Sequence, residues 1–198
     1  MKALHEFLPR GTLIQHATPT FPLLVLVGPY AASQAMLAFV ARLALHTPLR
    51  VLDGGNRFNA REVARMLRGL GAPDLYAALG SIRIARAFTC YQMLALLEET
   101  PPAPHPTLII DLLDTFYDES APLGERRRLA ESCMAHLRNL SHHAPVAASI
   151  RPPQPSQVDP TGLQEIVQQA ADSLWFQEEA LGPVGATYSP PHPQHTLF

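Results

Sequence analysis

The run VLVGPYAASQA, Val25 to Ala35, carries an apolar strand into Gly28 and then into a helical pattern. That layout suits a loop that wraps phosphate. In the pattern G-x-x-x-x-G-K-[ST], backbone N–H groups cradle the phosphates, the lysine cancels their charge and the hydroxyl holds Mg²⁺. Aligned on Gly28, this chain has Ser33 for the second glycine, Gln34 for the lysine and Ala35 for the hydroxyl residue. A glutamine still donates a neutral hydrogen bond, but charge-assisted bonds to phosphate are roughly twice as strong, and alanine cannot bind a metal. The stretch therefore reads either as a phosphate loop that has lost its chemistry or as a strand-turn-helix never built for phosphate.

Other residues capable of chemistry are scattered. Asp111 ends a buried apolar run, where a carboxylate can hold a metal or cap the following turn. Asp114, Asp118 and Glu119 follow in LLDTFYDES and read as a solvated turn. The nine histidines form no HExxH or paired Cys/His pattern, so no metal is predicted, and His142 and His143 suit the C-terminal dipole of a helix. Ser132, Cys90 and Cys133 lack a triad setting, and both cysteines read as core. Arg126, Arg127, Arg128 and Arg138 on one helical segment, and Arg57, Arg61, Arg65 and Arg68 on another, read first as solvated faces paired with Glu62, Glu125 and Glu131. Phosphate contact is their functional alternative.

These residues sit on a regular frame. Short apolar runs of strand length fall at Val25 to Val27, Arg50 to Leu52, Ile82 to Ala87, Leu108 to Leu112, Val146 to Ile150 and Ser173 to Phe176, with helical patterns between them. Capping boxes are expected at Asn59 with Glu62, Thr89 with Gln92 and Thr161 with Gln164. Val63, Met66, Leu67 and Leu70 form the stripe of an amphipathic helix. The order predicts an α/β fold: a mostly parallel sheet with helices on both faces, whose ligands bind beyond the carboxyl ends of the strands, near Gly28, Asp53 and Asp111. The segments TPPAPHP, Thr100 to Pro106, and RPPQPSQVDP, Arg151 to Pro160, read as surface loops. One core domain is expected over 1–181, with a Pro-rich, extended tail over 182–198.

VLDGGNRFNAREV, IRIARAFTCYQMLALLEE and TLIIDLLDTF resemble, in order and spacing, the core of RecA/RadA-type recombinases, over roughly Pro22 to Gln177. The resemblance implies a RecA-like P-loop fold. It places the catalytic glutamate of that family at Gly55 and its Walker B aspartate at Asp111, and it puts Ser149-Ile150-Arg151-Pro152 where the family carries an Asn or Gln that senses the γ-phosphate. The lysine, the metal hydroxyl, the water-orienting acid and the sensor are all replaced, and phosphoryl transfer depends on such positioned charges. The resemblance thus implies a nucleotide site kept only in outline at Gly28, Ser33, Gln34, Ala35 and Asp111, with ATP not hydrolysed if it is held at all and no cofactor expected. The family binds DNA through two loops, which would fall near Asp118 to Gly124 and Arg151 to Pro160. Both are short here and contain proline, so DNA contact is expected to be weak.

The last five residues, QHTLF, resemble the bacterial sliding-clamp-binding motif, which implies docking of Gln194 in one subsite and of Leu197 and Phe198 in an apolar pocket. The 198 residues are 47% hydrophobic and 16% charged, with a net charge of -2. That is enough to close a core, and it gives no general field for nucleic acid or an anionic membrane. With no signal peptide or membrane span legible, a cytoplasmic location is expected. The expectation is a non-catalytic accessory protein of DNA repair, recombination or translesion synthesis, partnered by the sliding clamp and by a polymerase or recombinase. The alternatives are a recombinase-paralogue ATPase subunit whose site a partner completes, and a regulatory protein that holds a nucleotide.

Overall fold

The computed structural model describes residues 11–15, 23–29, 34–117, 121–151 and 162–177. Seven strands form one sheet: β1 (Gly11–Gln15), β2 (Leu23–Val27), β3 (Leu49–Asp53), β4 (Ile82–Arg86), β5 (Thr107–Ile110), β6 (Val146–Ile150) and β7 (Ser173–Gln177). Their order is β1-β7-β2-β6-β5-β3-β4. β1 runs antiparallel to β7, while the other six strands pair in parallel. Six helices connect them: α1 (Met36–Ala44), α2 (Ala60–Gly69), α3 (Leu75–Gly80), α4 (Cys90–Glu99), α5 (Leu123–Ser141) and α6 (Leu163–Ala170). The antiparallel edge strand β1 and the short helix α3, capped by Asp74, are additions to the elements expected from sequence.

Both faces of the sheet are covered, as the period of two along each strand requires. Leu23, Val25 and Val27 of β2 point to the face carrying α4, α5 and α6, and Leu24 and Leu26 point to the face carrying α1, α2 and α3. A strand buried on both sides needs a continuous apolar run, which LLVLV supplies. Asn59 and Thr89 cap α2 and α4 by accepting from the N–H of Glu62 and Gln92. At α6 the capping position falls on Gly162, at a left-handed φ of 62°, and Thr161 lies outside the described residues. The expected stripe on α2 is also cut short. Val63 and Leu67 are buried, but Leu70 is past the end of the helix and 43% exposed.

The connections leaving β2 and β3 pass to one face, and those leaving β4, β5 and β6 pass to the other. Where neighbouring strands send their chains to opposite faces, a crevice opens beyond the carboxyl ends. That happens between β2 and β6, between β5 and β3 and between β3 and β4, so the residues following these strands are the ones the fold gathers.

Candidate functional site

Gly28 follows β2 at this edge, but its glycine answers to packing. A Cβ there would lie 2.6 Å from the Cβ of Gln177 on the neighbouring strand, and the Gly28 N–H donates to the Ile150 carbonyl at 3.2 Å. The Gly28 N–H is thus spent inside the sheet. Ala35 is buried in the core between the sheet and α1, and Gln34 is exposed. Ser33 lies outside the described residues, as do Gln194, Leu197 and Phe198 of the tail.

Asp111 follows β5 and is 1% exposed. Its N–H donates to the Ser149 hydroxyl at 2.9 Å, and its φ is 56°, a left-handed value that aspartate tolerates better than most residues. This turn swings the carboxylate over Gly55. A Cβ on Gly55 would meet both the Cβ and Oδ2 of Asp111 at 2.7 Å. The position that the recombinase resemblance assigns to a catalytic glutamate therefore lacks the carboxylate and also the space for one.

Arg151, the first residue after β6, donates from Nε to Asp111 Oδ2 at 2.6 Å, and its second guanidinium nitrogen pairs with Asp114. Arg57 adds a third contact, with Nε 3.7 Å from Asp111 Oδ2. One strand further along, Asp53 is fully buried. It accepts from the N–H groups of Arg57 at 2.9 Å and Phe58 at 3.0 Å, and it pairs with Arg86 at 3.3 Å. Arg57, Arg86 and Arg151 thus face Asp53, Asp111 and Asp114 in a cluster of balanced formal charge. Burial outweighs the pull of Arg151 and Arg57 on Asp111, and its carboxyl is pushed up to about 6.

Two sequence expectations are corrected here. Arg57 precedes α2 instead of sharing its solvated face, and its guanidinium turns inward to Asp111. Asp114 is an ion-pair partner of Arg151 and not part of a solvated turn, while Asp118 and Glu119 lie outside the described residues. Arg65 on Glu62, Arg127 on Glu131 and Arg128 on Glu125 behave as expected, whereas Arg126 leaves the solvated face and donates to the Phe116 carbonyl at 3.2 Å. Sequence reasoning put Arg151 at the start of a surface loop, where the structure instead pairs it with Asp111, and it gave Arg86 no role. The available signal was position, since each lies at the carboxyl end of a predicted strand.

What this arrangement can do chemically is limited. A Mg²⁺ at Asp111 would have to displace Arg151, and no hydroxyl at position 35 would help hold it. The residues present do not fit a magnesium-bound nucleoside triphosphate. Cys133 is no nucleophile either, because burial pushes its thiol up to about 12. Among the described residues, no group of His, Cys, Asp and Glu could hold a metal, and no helix is long and apolar enough to cross a membrane. No protein-family model matches the chain, and no curated protein matches it.

Proposed function

We infer that this chain is a non-catalytic, RecA-like accessory protein of DNA repair, recombination or translesion synthesis, tethered to the sliding clamp through its C-terminal tail. The observation that carries the non-catalytic half is the Arg151–Asp111 pair at 2.6 Å. It puts a fixed guanidinium where a catalytic site of this layout needs a metal, while Gly55 leaves no room for an acid. The strand-helix order and the Arg86-Ala87-Phe88 and Gln92-Met93 matches support the RecA-like half. QHTLF, Gln194 to Phe198, supports the clamp.

A scaffold also needs a surface for its second partner, a polymerase or recombinase. Ile84 on β4, the last strand in the sheet order, is 44% exposed, and Phe88 and Tyr91 just beyond it are 65% and 50% exposed. Large hydrophobes left at one end of a sheet are suited to burial against another protein.

Purified full-length protein, intact and with Leu197→Ala plus Phe198→Ala, tests the reading by binding to the sliding clamp with an ATP titration on the same sample. Clamp binding lost in the double variant, with no ATP signal, is the expected result. Saturable ATP binding with hydrolysis, or clamp binding unchanged by the substitutions, would overturn it.

A further inference from the structure

The opposite, amino edge of the sheet holds a second group of arginines with a different environment. Arg50 of β3 and Arg83 of β4 are register partners on adjacent parallel strands. Such partners lie roughly 5 Å apart at the backbone and project to the same face. Here that is the α4 side, because Leu52 and Ala85, two residues on along each strand, pack in the core beneath α4. Like charges directly opposite one another destabilise a sheet unless something neutralises them.

Nothing among the described residues does so. Neither Arg50 nor Arg83 has a carboxylate partner among the described residues, a state shared by Arg42, Arg61, Arg68, Arg126 and Arg138, but Arg50 and Arg83 alone of these stand directly opposite each other on adjacent strands. Arg50 is held in place by donating to the Pro101 carbonyl at 2.7 Å. Burial and the charge of Arg83 both lower its pKa, so the cation sits at a cost.

Between these strands and the linker before β5 lies a cavity of about 300 Å³, lined by Arg50, Arg83, Ser81 and His105 with Pro101 and Ala103. No acidic residue is among its lining. With one Arg50 nitrogen held by the Pro101 carbonyl, the remaining Arg50 donors and the fork of Arg83 supply two positive charges, which match an oxyanion carrying two negative charges better than a carboxylate carrying one. The volume is at the lower end for small-molecule pockets, roughly 300 to 1,000 Å³. We propose that this cavity binds a small phosphorylated molecule, with its phosphoryl group between Arg50 and Arg83 and its apolar body against Pro101 and Ala103.

The site is at the opposite edge from the Asp111 cluster and stands whether or not the clamp reading does. Phenyl phosphate, inorganic phosphate, benzoate and a short single-stranded oligonucleotide, each titrated into the full-length chain by backbone-amide NMR, test it. Phenyl phosphate is expected to shift the amides of Ser81, Arg83 and Ala103 saturably. It should bind several-fold tighter than inorganic phosphate and about tenfold tighter than benzoate. Arg83→Gln, an exposed position whose loss leaves the core untouched, is expected to weaken it about tenfold with the amide spectrum otherwise preserved. Arg50→Gln should act in the same direction. Equal binding of benzoate or of inorganic phosphate, phenyl phosphate binding unchanged in Arg83→Gln, or a response of these amides to the oligonucleotide alone would each overturn the assignment.

Discussion

At the carboxyl edge Arg57, Arg86 and Arg151 meet Asp53, Asp111 and Asp114, whereas at the amino edge Arg50 and Arg83 flank a cavity with no acid in its lining. The first edge is where an α/β fold of this kind ordinarily receives a ligand, and here its charges are satisfied internally. The second is ordinarily only a structural rim, and here it keeps uncompensated charge beside open space. Fold position alone therefore does not locate a site. The balance of charge and partners at each position decides which edge can take an anion.

The largest expected effect comes from breaking the closed edge. Arg151→Ala should cost roughly 2–3 kcal/mol at pH 8, less than for a fully buried pair because Arg151 is 28% exposed. The penalty should depend on pH. Asp111 titrates near 6 in the folded chain, above its ordinary 3.8, so the folded state binds this proton more tightly than the unfolded state. Between those values the contribution of this group to stability rises as the pH falls. Removing Arg151 takes away a cation that favours the carboxylate and moves the folded titration higher still. The cost of the substitution is then fully present above that pKa and shrinks as the pH falls toward 5. Urea denaturation of both proteins at pH 8 and pH 5 measures this, and equal penalties at both would assign the role of Arg151 to packing.

A smaller effect sharpens the steric half of the comparison. Gly55→Ala should destabilise by about 1–3 kcal/mol, because its Cβ would be forced onto Asp111. Gly69→Ala meets nothing within 4 Å at the end of α2 and should instead stabilise by roughly 0.5–1 kcal/mol. Thermal denaturation of the pair separates the two, and a neutral Gly55→Ala would show that the Asp111 turn yields.

The smallest effect belongs to the open edge. Arg83→Gln should stabilise the chain by a few tenths of a kcal/mol in low-salt, phosphate-free buffer by removing the like-charge pair with Arg50. The gain should fade at high salt as screening replaces the substitution. A loss of stability at low salt would mean that Arg83 makes a favourable contact and that the open edge is already compensated.

Much of the frame was legible because burial imposes a pattern on the chain. LLVLV must be a strand covered on both faces, and Val63 with Leu67 must lie on one helical stripe. The edge strand β1 escaped detection because GTLIQ carries only two adjacent apolar residues, Leu13 and Ile14, and its partner β7 lies 158 positions later at the closest register, Gln15 with Ser173. Arg57 was misplaced for a different reason. Its spacing from Arg61 is that of a helix, but Asn59 starts the helix two residues after it, which frees Arg57 to turn toward Asp111.

The sequence by itself determined the alternation of strands and helices, and it determined that position 34 has no lysine, position 35 no hydroxyl and position 55 no acid. Those are properties of single residues and short periods. Only the tertiary structure decided that Arg151 would neutralise Asp111, 40 residues away, and that Arg50 would stand beside Arg83. Periodicity fixes the face on which a side chain lies. Which strand lies next to it is set by how all the helices pack across the sheet, so the charge that a carboxylate or guanidinium meets is a property of strand order.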